Sequence, residues 1–507
     1  MSVLDRNAII APVRFQRWLI PPAALAIHLC IGQVYAFSVF KTPFQSRFDV
    51  GEVAVGWIFS LAIAMLGISS AIAGTWVERV GPRMAMVASG AFWVAGFLVS
   101  ALGIATGQLW LVYLGYGVIG GIGLGIGYIA PVSTLMKWFP DRPGLATGLA
   151  IMGFGGGALI ASPASNRLMA AFGGGPDPQN LVAGLTPTFL TLAACYFVAI
   201  ACGAFVVRLP HPDWRPSGWS PEQATHHAAQ TSGNVSAKQA IRTPQFWLLW
   251  IVLFTNVTAG IGILENASPM ISDGFGVAAA AAAGFVGLLS IANMAGRFIW
   301  STTSDYLGRK VNYAMYLSVG AVLYLVLATL GSHSLAIFVI SALIIISFYG
   351  GGFATVPAYL KDLFGVYQVG AIHGRLLTAW SAAGIAGPLI VNSIVESQAA
   401  AGHSGMDLYR LAMWVMMAIL VVGFVANLLI RSVDPSHVED EAVVAQKAQA
   451  DRDSAAASRA GVDGAPERET SSPAEVGAAV VLAVVVVIAL AYGLFQTAVR
   501  AAGLFLG

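Results

Sequence analysis

Charge is what this 507-residue sequence has least of: only 10% of its residues are Asp, Glu, Lys or Arg. An ordinary soluble domain carries roughly 25%. A soluble chain of this length would divide into about three domains, each needing a polar skin, and 26 basic plus 24 acidic residues cannot coat them. Cysteine is scarce too. Cys30, Cys195 and Cys202 all lie in apolar runs, which excludes a disulfide framework or a paired-cysteine metal site and reads as small core residues. With a net charge of +2 and no basic stripe, a nucleic-acid partner is not expected. The sequence shows no Walker-type loop, no His/Glu metal cluster and no supported Ser–His pair, so neither an enzyme nor a hydrolysing pump is expected, and no cofactor or metal. A cleavable signal peptide is not expected either, because the first apolar run is too long and no A-x-A-like site follows.

What the sequence has in abundance is apolar length: 57% of it is hydrophobic and mean hydropathy is +0.76. A bilayer core needs about 20 apolar residues per helix. Thirteen runs qualify, near 18–40, 53–77, 84–106, 109–135, 144–172, 187–209, 246–271, 277–303, 311–331, 335–360, 371–395, 409–431 and 474–499. Each is continuously apolar without alternation, so the expected class is an all-α integral membrane protein, not a barrel. Polar residues 210–245 divide the first twelve runs into six and six. The domain reading is therefore residues 1–209 as one six-helix half, 210–245 as a cytoplasmic loop and 246–431 as the second half. Residues 432–473 follow as a disordered tether, and 474–507 carry the extra helix.

The basic residues orient the chain. Lys41, Arg47, Arg167, Arg410 and Arg500 fall on one side and Arg297 lies within a span, leaving the other 20 of 26 on the side of the N-terminus. That side is expected to be the cytoplasm, with the chain multi-pass in an inner (plasma) membrane.

The two halves repeat each other. After span two stand Gly74, Glu78, Arg79, Gly81, Pro82 and Arg83; after span eight stand Ser301, Asp305, Gly308, Arg309 and Lys310. Gly120–Gly127 followed by Pro131 in span four is answered by Gly350–Gly352 followed by Pro357 in span ten. Parallel six-helix repeats are a transporter architecture, with the substrate held between the halves near the midplane. The many glycines of spans four, five, ten and eleven, Gly153–Gly157, Gly384 and Gly387 among them, read as close helix packing.

The acidic–Gly–basic loops resemble the G-x-x-x-D-R-x-G-x-R loops of the major facilitator superfamily, departing by Glu78 in the first copy and Ser301 in the second. Within it the chain resembles the oxalate–formate antiporter family, which is related to the monocarboxylate transporters. Lys137-Trp138-Phe139-Pro140-Asp141-Arg142, Arg242-Thr243-Pro244-Gln245-Phe246-Trp247 and Gly32–Phe40 carry that likeness, over roughly residues 15–431. It implies a 6+6 helix carrier working by alternating access, with conformational motifs in the two loops.

Arg297 is the central candidate. A lone cation inside a span costs about 2.5–3.5 kcal/mol on insertion scales, so it should meet an anion, and a guanidinium fork suits a carboxylate. The alternative is a structural ion pair or a snorkelling end residue; Asp305, the nearest acid in sequence, stands more than two turns away. The resemblance implies that Arg297 binds the substrate carboxylate. Asn293, one turn earlier, could add a hydrogen bond or simply pack. Trp380 occupies the place where the oxalate antiporter has a second cation, a lysine. An indole there disfavours a dianion and points to formate, lactate or pyruvate, unless Trp380 is interhelical packing. Tyr35, Tyr128, Tyr349 and Phe353 match aromatic positions lining the family's cavity, or are ordinary core; Phe154 stands where the family has another tyrosine.

His28, seven residues before Tyr35, is a candidate proton carrier or a hydrogen-bonded structural histidine. Glu265 is a candidate outer proton acceptor or a solvated vestibule carboxylate. His373, near the start of span eleven, is expected at the interface, and His226–His227 in solvent. The thirteenth run resembles an accessory membrane subunit fused to the carrier. Together these readings give a monomeric secondary transporter of small organic anions in the lipid bilayer. It would work by exchange, or alternatively by proton symport; a membrane carboxylate sensor is the reading of another class.

Overall fold

The computed structural model describes residues 4, 9–12, 14–175, 177–211, 214–218, 231, 233–277, 279–446, 449–450 and 473–501. Twelve helices among them are long and apolar enough to cross a membrane, and a further long helix, Ala279–Leu307, runs with them. In chain order these are α1 (Arg17–Phe48), α2 (Glu52–Val80), α3 (Pro82–Thr106), α4 (Leu109–Trp138), α5 (Pro143–Gly173) and α6 (Pro178–Val206). The second set is α7 (Pro244–Phe275), α8 (Ala279–Leu307), α9 (Arg309–Leu330), α10 (Leu335–Phe364), α11 (Val369–Ala400) and α12 (Asp407–Leu429), followed by α13 (Pro473–Ala501). Helix α8 carries Asn293, Arg297 and the polar run Ser301–Asp305. Helix α6 begins well before the expected residue 187: Pro187 lies inside it, and Thr191 Oγ1 donates to the Pro187 carbonyl at 2.8 Å.

Local chemistry sets several helix starts. Thr243 and Ser334 cap α7 and α10 by accepting from Phe246 N and Ile337 N, and prolines occupy the first turn of α3, α5 and α7, where a missing N–H costs nothing. Helix α1 tightens to 3-10 winding over Gly32–Phe40, and α4 opens to π winding over Tyr113–Gly120. Both irregular stretches rest on glycine, whose small size lets a neighbouring backbone approach. At Gly32 a Cβ would sit on the Phe154 carbonyl of α5.

Helices α1–α6 pack as one bundle and α7–α12 as the other; the halves meet along α5 against α8 and α2 against α11. The repeat legible in sequence has a structural counterpart. Gly81 and Gly308 both adopt positive φ (85° and 87°), a region in which L side chains are strained. Two residues on, Arg83 donates to the carbonyls of Ala204 and Phe205 at the end of α6. Lys310 likewise donates to Leu428 and Ile430 at the end of α12. Each cation thereby satisfies carbonyls that a helix C-terminus leaves open.

The motif acids act between the halves. Asp305 accepts from Gly144 N and Leu145 N (2.8 and 2.9 Å), the first amides of α5. Glu78 pairs with Lys137 at 2.7 Å and lies against Gly370 at the start of α11. A carboxylate at a helix N-terminus is stabilised by the free amides and the helix dipole. Arg309 joins Asp305 (2.7 Å) to Asp362 (3.3 Å), and Lys361 donates to Pro140 O across the halves. Arg79 is exposed, and Gly74 admits Ala371 of α11 at close range.

The polar connections are partly ordered. Thr231 N and Val235 N donate to Asp362 O and Phe364 O, Asn234 accepts from Val366 N and Tyr367 N, and Glu439 N donates to Asn234 O. The central loop and the start of the tether thus bind each other and the end of α10. The start of residues 432–473, expected as a disordered tether, is ordered against the loop, which the open carbonyls at the α10 terminus recruit. The rest of the tether, 451–472, and His226–His227 lie outside the described residues.

Helix α13 packs on α1, α5 and α6 of the first half and on α8 of the second. Gly493 is set against the Leu159 carbonyl, Thr497 against Gly287, and Leu490 near Gly156. Tyr492 meets Arg167 through its hydroxyl and its ring, the guanidinium carbon 5.1 Å from the ring centroid. These contacts predict that a protease cut introduced within 451–472 leaves the α13 fragment co-eluting with the carrier in detergent. Gly493→Leu, which forces α13 off α5, should release it; a fragment that elutes separately without that substitution would contradict this packing.

Candidate anion-binding site

Arg297 is fully buried where α8 faces α5. Its Nε donates to Asn293 Oδ1 at 3.0 Å, one turn earlier on α8, and its Nη1 to Ile151 O at 3.3 Å on α5. The third nitrogen, Nη2, has no hydrogen-bond partner. Among the described residues no carboxylate pairs with it; Asp305 is committed to Arg309 and the amides of α5. Phe353 and Phe154 cover the cation, with ring centroids 5.3 and 5.8 Å from Cζ. Gly155 makes room for it, since a Cβ there would stand 2.9 Å from Nε.

Around this cation an aromatic wall closes. Trp380 of α11 is buried and touches Phe353 (4.5 Å between centroids), Tyr128 and Phe154 (both 5.5 Å) and Tyr35 (6.5 Å). Tyr35 and Tyr349 face each other across the halves, hydroxyls 3.3 Å apart, and Tyr349 stacks edge-on against Phe353. The Tyr128 hydroxyl is buried with no partner at hydrogen-bond distance. The structure therefore brings Arg297, Asn293, Trp380, Tyr35, Tyr128, Tyr349 and Phe353 into one cluster drawn from both halves.

His28 borders this cluster, 5.5 Å from the Tyr128 ring and 6.5 Å from Phe154. Its two ring nitrogens face two carbonyls, Ala150 O at 2.6 Å and Tyr128 O at 3.2 Å. Carbonyls only accept, and a neutral imidazole has one N–H, so only the doubly protonated ring satisfies both. Gln33 Oε1 accepts from the Tyr116 hydroxyl at 3.1 Å. The backbone of Glu265 lies in α7, but its side chain is outside the described residues.

Two participants escape a reading of the sequence. Phe154, noted there as a missing hydroxyl, is a wall of the cation's box. His373, expected at the interface, is 1% exposed, with its ring 5.8 Å from Tyr128. Helices α2, α4 and α10 pack over the first turns of α11, so protein and not headgroups surrounds it. The available signal was its spacing, two helical turns before Trp380.

Burying an ion costs several kcal/mol even after relaxation. One side-chain acceptor, one carbonyl and two aromatic faces, each face contributing about 0.5–2 kcal/mol, leave the guanidinium incompletely compensated. A small anion fits the remainder: its oxygens can accept from Nη2 and the Tyr128 hydroxyl, and the Coulomb attraction at 4 Å amounts to about 4 kcal/mol at an effective dielectric of 20.

The model of the Major Facilitator Superfamily matches residues 23–388, and the chain belongs to that superfamily. It is a multi-pass membrane transporter, not an enzyme. It is 25% identical over 365 residues to the oxalate:formate antiporter of Oxalobacter formigenes, covering 72% of this chain and 81% of that protein. It is 27% identical over 373 residues to an uncharacterized MFS-type transporter, YhjX, of Escherichia coli, covering 72% and 85%. The fold is shared with the crystal structure of the MFS transporter FucP in the outward conformation, with a TM-score of 0.62, 15% identity, and coverage of 82% of this chain and all of that one.

The aromatic box makes a testable contribution. Phe353→Leu and Phe154→Leu keep apolar bulk but remove a π face, and each should weaken formate or lactate binding by about 2- to 30-fold. Ligand-induced thermal stabilisation of the purified protein would measure it; unchanged affinity in both variants would remove the rings from the site.

Proposed function

We propose that this transporter carries small organic anions by alternating access, with monocarboxylates such as formate, lactate or pyruvate favoured and oxalate a weaker cargo. The observation that carries the proposal is the buried Arg297 guanidinium with a free Nη2 and no acidic partner among the described residues. The relatives support the substrate class: besides the oxalate:formate antiporter, they include an apicoplast pyruvate carrier of Toxoplasma gondii, 24% identical over 367 residues. Trp380 supplies the preference within that class. It puts an indole, not a second cation, into the cluster around Arg297, so a second carboxylate would be buried unpaired.

Exchange follows from the same cation. An empty, uncompensated Arg297 opposes closure of both sides around it, so the halves rock when loaded and one anion is traded for another. Both halves lie in one chain, so the monomer is a complete carrier, placed in the inner (plasma) membrane with its N-terminus and motif loops in the cytoplasm. Proton symport is the second reading. It is favoured by the two carbonyls facing His28, which reward the protonated ring.

Uptake of labelled formate, lactate, pyruvate and oxalate into proteoliposomes tests these readings. Exchange predicts uptake into vesicles preloaded with a carboxylate and little into empty ones. Arg297→Ala should lower uptake by roughly 30-fold or more, since removing one partner of a buried charge pair costs about 2–5 kcal/mol. Trp380→Lys should raise oxalate relative to formate. Uptake into empty vesicles driven by an inward proton gradient would replace exchange with symport, and binding without flux would favour a sensor.

A further inference from the structure

The site leaves one titratable group unused. His373 sits in the first turns of α11, and both of its ring nitrogens are buried without a hydrogen-bond partner. Native proteins rarely leave a buried polar side chain so isolated, and each case calls for an explanation. The neutral ring is tolerable there, but an imidazolium with two unpartnered N–H groups is not, because burying an unpaired charge is strongly unfavourable.

Position gives this isolation a consequence. The turns carrying His373 belong to the second half yet are wedged against α2 of the first. Ala371 fits against Gly74, the Ser70 carbonyl lies against Gly374, and Ser133 of α4 abuts Gly370. The contacts of Asp305 and Lys361 hold the halves together on this same side, where Glu78 also lies against Gly370. For the cytoplasmic motif side to open, α11 must leave α2, and water then reaches the imidazole.

We propose that His373 is a proton-binding site of this gate: it takes a proton from water when α2 and α11 part, and returns it to water before they close. This rests on the alternating-access reading above. Acid on the motif side then holds the gate open, because the protonated ring cannot re-enter the seam. The groups around it do not substitute for a counter-charge. Glu78 Oε2 is paired with Lys137 while its Oε1 lies against Gly370, Asp362 is paired with Arg309, Lys361 donates to the Pro140 carbonyl, and Arg375 on its own helix is itself cationic. His28, on the other side of Tyr128, is a second imidazole and offers no negative charge.

A cysteine reporter tests this without any transport measurement. Ser133 is 4% exposed beside Gly370, so Ser133→Cys, with Cys30, Cys195 and Cys202 changed to Ala, reacts with a maleimide only when the gate opens. Its labelling rate in the purified full chain is normalised at each pH to that of a cysteine at the exposed Ser217. From pH 7.5 to 5.5 the protonated fraction of a solvated imidazole goes from about a tenth to about nine tenths, so the normalised rate should rise roughly fivefold or more. His373→Gln should label slowly at every pH, and His373→Arg, permanently charged, quickly at every pH. Misfolding cannot produce both outcomes. The proposal falls if the acid-induced rise survives His373→Gln, if it is abolished by His28→Gln while His373 is intact, or if the reporter never labels. Formate exchange measured alongside separates this result from the fate of the transport reading.

Discussion

A cation kept out of water without a matching anion is the constraint around which this protein is organised. Everything near Arg297 compensates it in part: an amide oxygen one turn away, a carbonyl from the opposite half, and two aromatic faces. None of these carries a full negative charge. Under the proposed function, that unsatisfied remainder is what a small anion would bind to, beside an aromatic wall that offers few other polar contacts. An aspartate in place of Asn293 would neutralise the guanidinium internally and remove that incentive.

The moving parts are arranged at helix ends. In each half the positive-φ glycine lets the chain turn and the cation two residues on closes the last helix of its own half, while Asp305 meets the first amides of α5 in the other half and Glu78 pairs with Lys137 of its own half. A carboxylate on free helix amides is a short-range contact that is lost when the helix withdraws. Under alternating access, the same pairs that seal the motif side would define where it parts. Small residues do the corresponding work along the seams, where Gly74, Gly148 and Gly374 bring backbones of opposite halves into contact.

Helix α13 adds a constraint that the twelve-helix repeat lacks. It lies across α1, α5 and α8, and its contacts at Gly156 and Leu159 are within a few residues of Gly155, which cradles Arg297. Most of its Val-rich face points away from the protein, as suits a helix whose outer surface meets lipid. Its position couples the lipid-facing surface to the helix pair that carries the charge.

The sequence by itself determined the helical membrane class and the 6+6 repeat, and it singled out Arg297 as a charge inside a span. Each follows from a strong local signal: apolar runs of bilayer length, a motif repeated at constant offset, and one charge where charge is costly. What stands around Arg297 was legible only as candidates, because an aromatic residue in a membrane helix has the same sequence signature whether it faces lipid, core or chamber. Tertiary structure decided that Trp380, Tyr128 and Phe154 share one wall with residues hundreds of positions away. It also turned the expected interfacial His373 into a buried group, since depth along α11 is set by the helices packed over its start and not by distance from its first residue. The twofold carbonyl environment of His28 arose in the same way, from α4 and α5 approaching α1 at a glycine. Contacts of this kind depend on the relative placement of distant backbones, and no local pattern of residues encodes that placement.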